Sequence, residues 1–444
     1  MHKLILLLIL FIPVSGFSKA LPSEKIIKDF KASSIEKKSG AVILFKDIFH
    51  DVKKDGKDSG YFHTAIAVLD EKAVNDYGQI EIRYNAYYKS IKLDYAKIIH
   101  QDGSVQKVSP DAYQEQKSGQ DQFYDNSKVI KFSLPGLQPG SIIEYRYSFS
   151  ALKPQITGEW MKLQRFHYVQ IIPDINWPRV DPTRYSRLEV KLPLSMPLKT
   201  LVRNAKNNEK YTKEKNSHTY VWSVENLPAL KVENNMPSFD KLLPYVEASS
   251  VKNWNKINQW VTGLVKPSVE ITPEISRIAE NIKDKNSSKD ARIKAVFDYV
   301  QDNIRYVYAH VDSNGYTPHK SKEVLSNKYG DCKDQSTLIV TLLKAMGIKA
   351  YPSLINTYPS DLNQGSLPTL SFDHMIVHVP DHSTHQWLDT SGETGAFPGI
   401  SSQLDGEYAF ILDEKKGKLQ PLRHKSSNNV LYLVNYKYSD DSKI

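Results

Sequence analysis

The sequence predicts an α+β protein in two unlike parts, an N-terminal all-β, sandwich-like part and a following core in which helices and strands mix. Three observations predict it. From about 40 to 230, short stretches rich in Val, Ile, Tyr and Phe alternate with clusters of Gly, Pro, Asn and Asp, the pattern of repeated short strands and turns. Helical signals begin only after Trp254. The chain has 444 residues, 40% of them hydrophobic, enough for packed cores in two or three domains.

Residues 1–20 open with Lys3, continue through an apolar run from Leu4 to Val14 and end in Ser18-Lys19-Ala20. This fits a cleaved secretory signal with a small-x-small cleavage site; an uncleaved anchor is the alternative. The run is too short to span a bilayer, so the mature chain, starting near Leu21, is expected to have no transmembrane segment and to be periplasmic or secreted. No cysteine lies in the segment to take a lipid.

Strands are expected at Phe62–Leu69, Ile80–Tyr84, Lys128–Leu134, Ser141–Ser150 and Tyr185–Leu192, with Arg203–Lys215 as an exposed hairpin tip or loop. No repeat of 20–50 residues is visible. Thr272-Pro273-Glu274 opens a helix that places Ile275, Ile278, Ala279 and Ile282 on one face, with Thr as cap and Pro as first helical residue. A second helix runs from about Lys289 to Ile304 and buries Ile293, Val296, Phe297, Val300 and Ile304. A third follows Cys332, with Leu338, Ile339, Leu342, Leu343 and Met346 on its buried face and Gly347 as its stop. The expected division is 1–20 signal, 21–245 β-rich part, 246–400 core and 401–444 a C-terminal β extension. In that extension Asn429–Tyr438 reads as one strand of something unfinished, either a natural truncation or a piece of a longer product.

Cys332 is the only cysteine. An exported chain with one cysteine forms no internal disulfide. With Asp331 as cap and Cys332 as first helical residue, the unpaired backbone N–H groups at the helix start favour thiolate over thiol. Asp331 and Asp334 put negative charge nearby and oppose it. The alternative is a small buried residue. Downstream, Phe372–Val379 alternates like a half-buried strand, and Gln386–Thr390 reads as the next strand end. His374 can then serve as general base to the thiol, and Asp389 can orient the imidazole.

Gly330-Asp331-Cys332-Lys333-Asp334, Lys344–Ala350, Phe372-Asp373-His374 and Trp387-Leu388-Asp389 resemble the bacterial transglutaminase-like core, a branch of the papain-like cysteine-enzyme fold, over roughly 270–400. The resemblance implies Cys332 as nucleophile, His374 as base and Asp389 as orienting acid. Leu134–Tyr145, Glu233–Pro237 and Trp254 resemble an uncharacterised β-rich domain that often precedes this core in exported bacterial proteins, which brings no known chemistry. Where relatives often show Asp-Pro-Thr, this chain has Asp389-Thr390-Ser391, a change expected to alter the turn more than the acid. Relatives also commonly continue through a further β domain.

His374, His378, His382 and His385 invite a metal reading. On one strand, however, 374 and 378 would stand about 13 Å apart at roughly 3.3 Å per residue, too far for one ion. No EF-hand loop, P-loop or dinucleotide fingerprint is present, so neither metal nor cofactor is expected. The net charge of +9 favours anionic cell-envelope surfaces or acidic protein substrates, or is a solvated surface that happens to be basic; nucleic acid is not expected in that compartment. The expected activity is cysteine-dependent acyl transfer on protein or peptide amides through a thioester, with the backbone N–H of Cys332 helping to hold the oxyanion. Water as acceptor makes a protease or amidase, and an amine makes a transglutaminase. Tyr316 is placed either to line the cleft or to pack. The alternative function is a non-catalytic envelope-binding or scaffold protein with an inactive core.

Overall fold

A computed structural model describes residues 23–423, except 118–122, 173–174, 235, 311–314, 358–359, 381, 383–385 and 392–396. The leader-like residues 1–20, His385 and the strand expected at Asn429–Tyr438 lie outside the described residues.

The N-terminal part is built on an eight-stranded sheet. In spatial order its strands are Lys210–Lys213, Ser217–Leu227, Thr183–Pro193, Ala41–Val52, Asp58–Val68, Ile142–Ala151, Lys89–Ile99 and Val105–Lys107. All neighbours are antiparallel except Ala41–Val52 with Thr183–Pro193. Strand Ala41–Val52 is buried along most of its length because both faces are covered. Alternate residues point to opposite faces, and an irregularity between Ile43 and Phe45 resets the alternation. Ala41, Ile43 and Ile48 therefore enter the main core, while Val42, Leu44 and Phe45 enter a second cluster with Ile26, Ile27 and Phe30. The main core is closed by a sheet of Gln79–Asn85, Ser127–Ser133 and Tyr113–Lys117 and by another of Met161–Arg165, Tyr245–Ser249 and Lys199–Arg203. Ile80, Ile82, Phe132 and Val246 carry these sheets into the same apolar cluster as Ile66, Leu188 and Trp222. That is the sandwich-like arrangement.

Two expectations change. Short helices occur before Trp254, at Ser23–Lys28, Ser34–Ser39, Glu71–Tyr77 and Phe239–Leu242; the second and third start on Ser33 and Asp70, whose side chains accept backbone N–H bonds. The segment 203–215 is partly sheet, since Lys210–Lys213 pairs with Ser217–Leu227 as an edge strand exposed at all four positions.

The C-terminal part is an antiparallel five-stranded sheet in the order Trp387–Leu388, His374–His378, Tyr351–Ile355, Tyr408–Ile411 and Lys418–Pro421. The two strands beyond residue 400 thus extend the core sheet. Helix Cys332–Ala345 packs on the sheet, and Pro273–Lys285, Lys289–Asn303 and Ser321–Asn327 surround it. Ile275, Val296, Phe297, Val300, Leu338, Leu342 and Val377 form one apolar cluster, which fixes the helix start against the strand that begins at His374. Among the described residues no helix is long and apolar enough to cross a membrane.

Candidate active site

Helix Cys332–Ala345 begins where its sequence demands. Asp331 is the cap, its carboxylate accepting from the N–H groups of Lys333 and Asp334 at 3.2 and 3.3 Å, while Asp334 accepts from the Asp331 N–H at 3.2 Å. This reciprocal box consumes two of the orphan donors of the first turn. The Cys332 N–H has no backbone partner among the described residues. It stays available at the positive end of the helix.

The two carboxylates flanking the thiol are themselves compensated. Lys333, 2% exposed, pairs with Asp331. Asp334 accepts from the His319 backbone N–H at 2.8 Å and bonds the His319 ring at 3.0 Å. Burial pushes Asp331 upward against its pairing with Lys333. For Asp334 burial acts the same way but loses to His319 and Lys333, which hold the carboxyl below its ordinary value. The opposition expected from Asp331 and Asp334 is thus largely absorbed by a buried lysine and a histidine.

His374 opens the strand next to this helix start, and Ser336 Oγ donates to Met375 O at 2.9 Å, tying helix to strand. Asp389 follows the edge strand Trp387–Leu388. His374 Nε2 lies 2.8 Å from Asp389 Oδ2, with both side chains about one-tenth exposed. That leaves Nδ1 as the ring nitrogen available to the sulfur. Burial alone would lower the His374 pKa, but Asp389 and Cys332 together raise it well above its ordinary value. The protonated ring is favoured by its place between a carboxylate and a sulfur.

Thr390 and Ser391, expected to alter the turn more than the acid, also hold the acid itself, together with Gln335, which was not singled out in the sequence. Ser391 donates from Oγ to Asp389 Oδ1 at 2.6 Å and from its backbone at 3.0 Å, and its Oγ lies 3.3 Å from His374 Nε2. Thr390 Oγ1 donates to Gln335 Oε1 at 2.8 Å, and Gln335 Nε2 donates to Ile304 O at 3.1 Å. The Thr-Ser pair after the acid thus anchors the turn to the nucleophile helix and orients the carboxylate.

Cys332 is 4% exposed, yet it lines a cavity of about 330 Å³ together with Lys333, His374, Trp260 and Tyr316. Tyr316 both lines this cleft and is pinned, donating to the carbonyls of Leu370 and Phe372 and meeting Trp260 edge-on at 5.5 Å. His378 stands apart from His374. It is buried against Trp387 at 4.5 Å, and burial lowers its pKa to about 4. Among the described residues, no three His, Cys, Asp or Glu side chains are grouped to hold a metal ion.

Residues 276–390 match the model of the transglutaminase-like superfamily, and residues 54–231 match a domain of unknown function, DUF3857. A solved structure named as a "putative protease" from Parabacteroides distasonis ATCC 8503 superposes with a TM-score of 0.68 at 17% identity, over 87% of this chain and 72% of that one. It shares the fold across both parts. An M1 zinc metallopeptidase from Deinococcus radiodurans reaches only 0.24 at 14% identity, over 47% of this chain and 42% of that one. No curated protein matches.

Proposed function

We propose, for a chain that carries a transglutaminase-like core behind a DUF3857 domain, that Cys332, His374 and Asp389 perform acyl transfer on protein or peptide amides. The observation that carries the reading is the 2.8 Å bond between His374 and Asp389 in the cleft that holds the sulfur at a helix start.

The Cys332 thiolate adds to the amide carbonyl carbon; the C–S bond forms as the C=O π pair moves onto oxygen. The Cys332 N–H, without a backbone partner among the described residues, can donate to that oxygen. Collapse of the tetrahedral adduct breaks the C–N bond, and the His374 imidazolium gives its proton to the departing amine. His374, now neutral, then takes a proton from water or from an acceptor amine as it attacks the thioester. The second collapse returns the thiolate and the imidazolium. Asp389 keeps the ring oriented and stabilises its cationic form throughout. The acceptor decides between hydrolysis and transamidation. The leader-like residues 1–20 support an exported location for this chemistry.

The test uses p-nitrophenyl acetate as acyl donor, with acid quenching and mass spectrometry to locate the acetyl group, and glycine ethyl ester as a competing amine. An acetyl group on Cys332 that turns over, and is lost in Cys332→Ala, supports the proposal. Equal turnover in Cys332→Ala, or a thiol that never acylates, would overturn it in favour of a scaffold with an inert cysteine.

A further inference from the structure

Beside the cleft of Cys332 lies a larger cavity of about 620 Å³, formed by the β-rich part. The two spaces share Asn85, Tyr88 and Gln155 as lining residues. A peptide leaving the sulfur in extended form can therefore pass along this common wall into the second cavity. Resting on the function proposed above, we infer that this cavity is a subsite for an acidic stretch of the peptide substrate.

The lining carries the argument. Lys46, Lys89 and Lys162 all face the space. Lys46 donates to the carbonyls of Arg165 and His167 at 2.7 and 2.8 Å, which uses two of its three N–H groups. Lys89 lies over the Phe149 ring, 4.3 Å from the centroid, and forms no ion pair among the described residues. The Lys162 side chain, on a strand paired with Tyr245–Ser249, has neither a hydrogen bond nor an ion pair among the described residues. The one carboxylate of the lining, Glu81, is already taken by Arg83 at 2.6 Å and Lys131 at 2.7 Å.

His50 also lines the cavity but adds nothing to it as an anion site: it is 2% exposed and its Nδ1 proton goes to Asp58 at 2.7 Å, so in the neutral ring Nε2 is an acceptor. Lys89 and Lys162 are half-buried, and an entering carboxylate would pair with them and with the third N–H of Lys46 together. Around them Phe62 and Tyr147 stack at 5.0 Å, with Tyr145 and Tyr168 beside them, giving apolar walls to the aliphatic part of a glutamate or aspartate chain.

The titration of these groups fits an anion site. Burial, then the neighbouring cations Arg165 and Lys162, lower Lys46 to about 7. Burial and Lys89, opposed by Asp58, lower Lys162 to about 8. Burial lowers His50 to about 4 against the pull of Asp58. A bound carboxylate favours the protonated form of both lysines, so binding takes up protons and weakens as pH rises through the two lysine values. The other charged groups near the lysines are Glu81 with its two partners, Arg165 and, lining an adjoining cavity with Lys89 and Lys162, Asp58, Lys153 and Glu159; of these Asp58 and Glu159 oppose the site.

The test measures binding to full-length Cys332→Ala protein, so it does not depend on turnover and stands even where the thioester chemistry fails. The probes are fluorescent acetylated amides of tetraglutamyl-tetraalanine and tetraglutaminyl-tetraalanine. The acidic peptide is expected to bind about tenfold tighter or more, equivalent to roughly 1.4 kcal/mol. The preference should vanish in Lys89→Met/Lys162→Met, survive in Lys89→Arg/Lys162→Arg, and shrink between about pH 6 and pH 9. The exposed control Lys283→Met/Lys285→Met should leave it intact. Equal affinities overturn the inference. So does a preference that outlasts the cavity double variant, or one that the surface control removes equally.

Discussion

At the residue scale the site turns on which charges are paired. Asp389 occupies His374 Nε2, so removing the sulfur, the ring or the carboxylate breaks one unit in three ways. Cys332→Ala and His374→Ala are each expected to lower p-nitrophenyl acetate turnover by about a thousandfold or more, and the double variant by no more than either. Asp389→Asn should cost less, because the ring and the sulfur remain. The same pairing sets the pH response. Asp389 and Cys332 hold His374 protonated well above its ordinary range, and the departing amine needs that proton. Activity toward an amide should therefore fall on the alkaline side as His374 loses it. Asp389→Asn removes the stronger of the two raising partners, so the alkaline limb should move to lower pH; a limb that stays put in a rate profile of the variant would contradict this role. For stability the sign agrees. The raised His374 contributes fully below its unfolded value of about 6.5, and the contribution is lost as pH rises through the folded value. At the N-terminal edge the opposite sign applies. Arg184 bonds Glu36 at 2.7 and 2.8 Å and holds its pKa at about 2, so that contribution is present above about 4.5 and lost as pH falls toward 2. Glu36→Gln should destabilise by about 1 kcal/mol at neutral pH after allowance for solvent screening, with the gap to wild type closing in acid melts.

At the scale of elements, the parts most legible in the sequence are those with strong periodicity or caps. The helix on Cys332, its Asp331 cap, the helices at 273 and 289 and the strand beginning at His374 all follow from apolar spacing and end signals. The less legible parts have no local signature. Lys333 between two aspartates looks like a solvated residue, and only the folding of the first turn into the core buries it. The edge strand Lys210–Lys213 carries no apolar alternation, because it buries nothing, and helices of six or seven residues such as Ser34–Ser39 are too short to show a period. The segment holding the acid illustrates a constraint of a different kind. Gly399 has a φ of +80°, and a Cβ there would lie 1.8 Å from Asp389 O, while Asp389 N–H donates to Pro398 O at 2.9 Å. Gly399→Ala should therefore cost about 2–4 kcal/mol in thermal denaturation and lower turnover by displacing Asp389. Gly406 has a similar φ of +85° with nothing within 4 Å of its Cβ position, so Gly406→Ala should cost only about 1 kcal/mol of backbone strain and spare activity. Equal losses in the two variants would mean that strain, and not the contact with Asp389, makes the glycine necessary.

At the scale of the whole molecule, the two parts share structure around the cleft. Phe123–Asp125 of the β-rich part pairs in parallel with Tyr308–His310 of the core. Ser249 Oγ donates to Pro368 O at 2.8 Å, and Glu247 accepts from the Leu367 N–H at 2.8 Å. Ile156, 3% exposed and borne by the β-rich part, belongs to the same apolar cluster as Cys332, Leu354, Met375 and Phe410. Removing one half would expose that cluster and take Asn85, Tyr88 and Gln155 from the wall of the cleft. Multidomain chains often unfold in steps, but a core cluster built from both halves couples them. Calorimetry of the full chain should accordingly give one main transition. Ile156→Ala should lower stability by about 2–4 kcal/mol, the range for truncating a buried isoleucine. It should shift that single transition as a whole and quicken alkylation of Cys332 by iodoacetamide, since the cavity it leaves adjoins the sulfur's own cluster. Two transitions, of which Ile156→Ala moves only the one reported by the β-rich part, would show that the halves fold independently and that the cleft of Cys332 is completed by docking after folding.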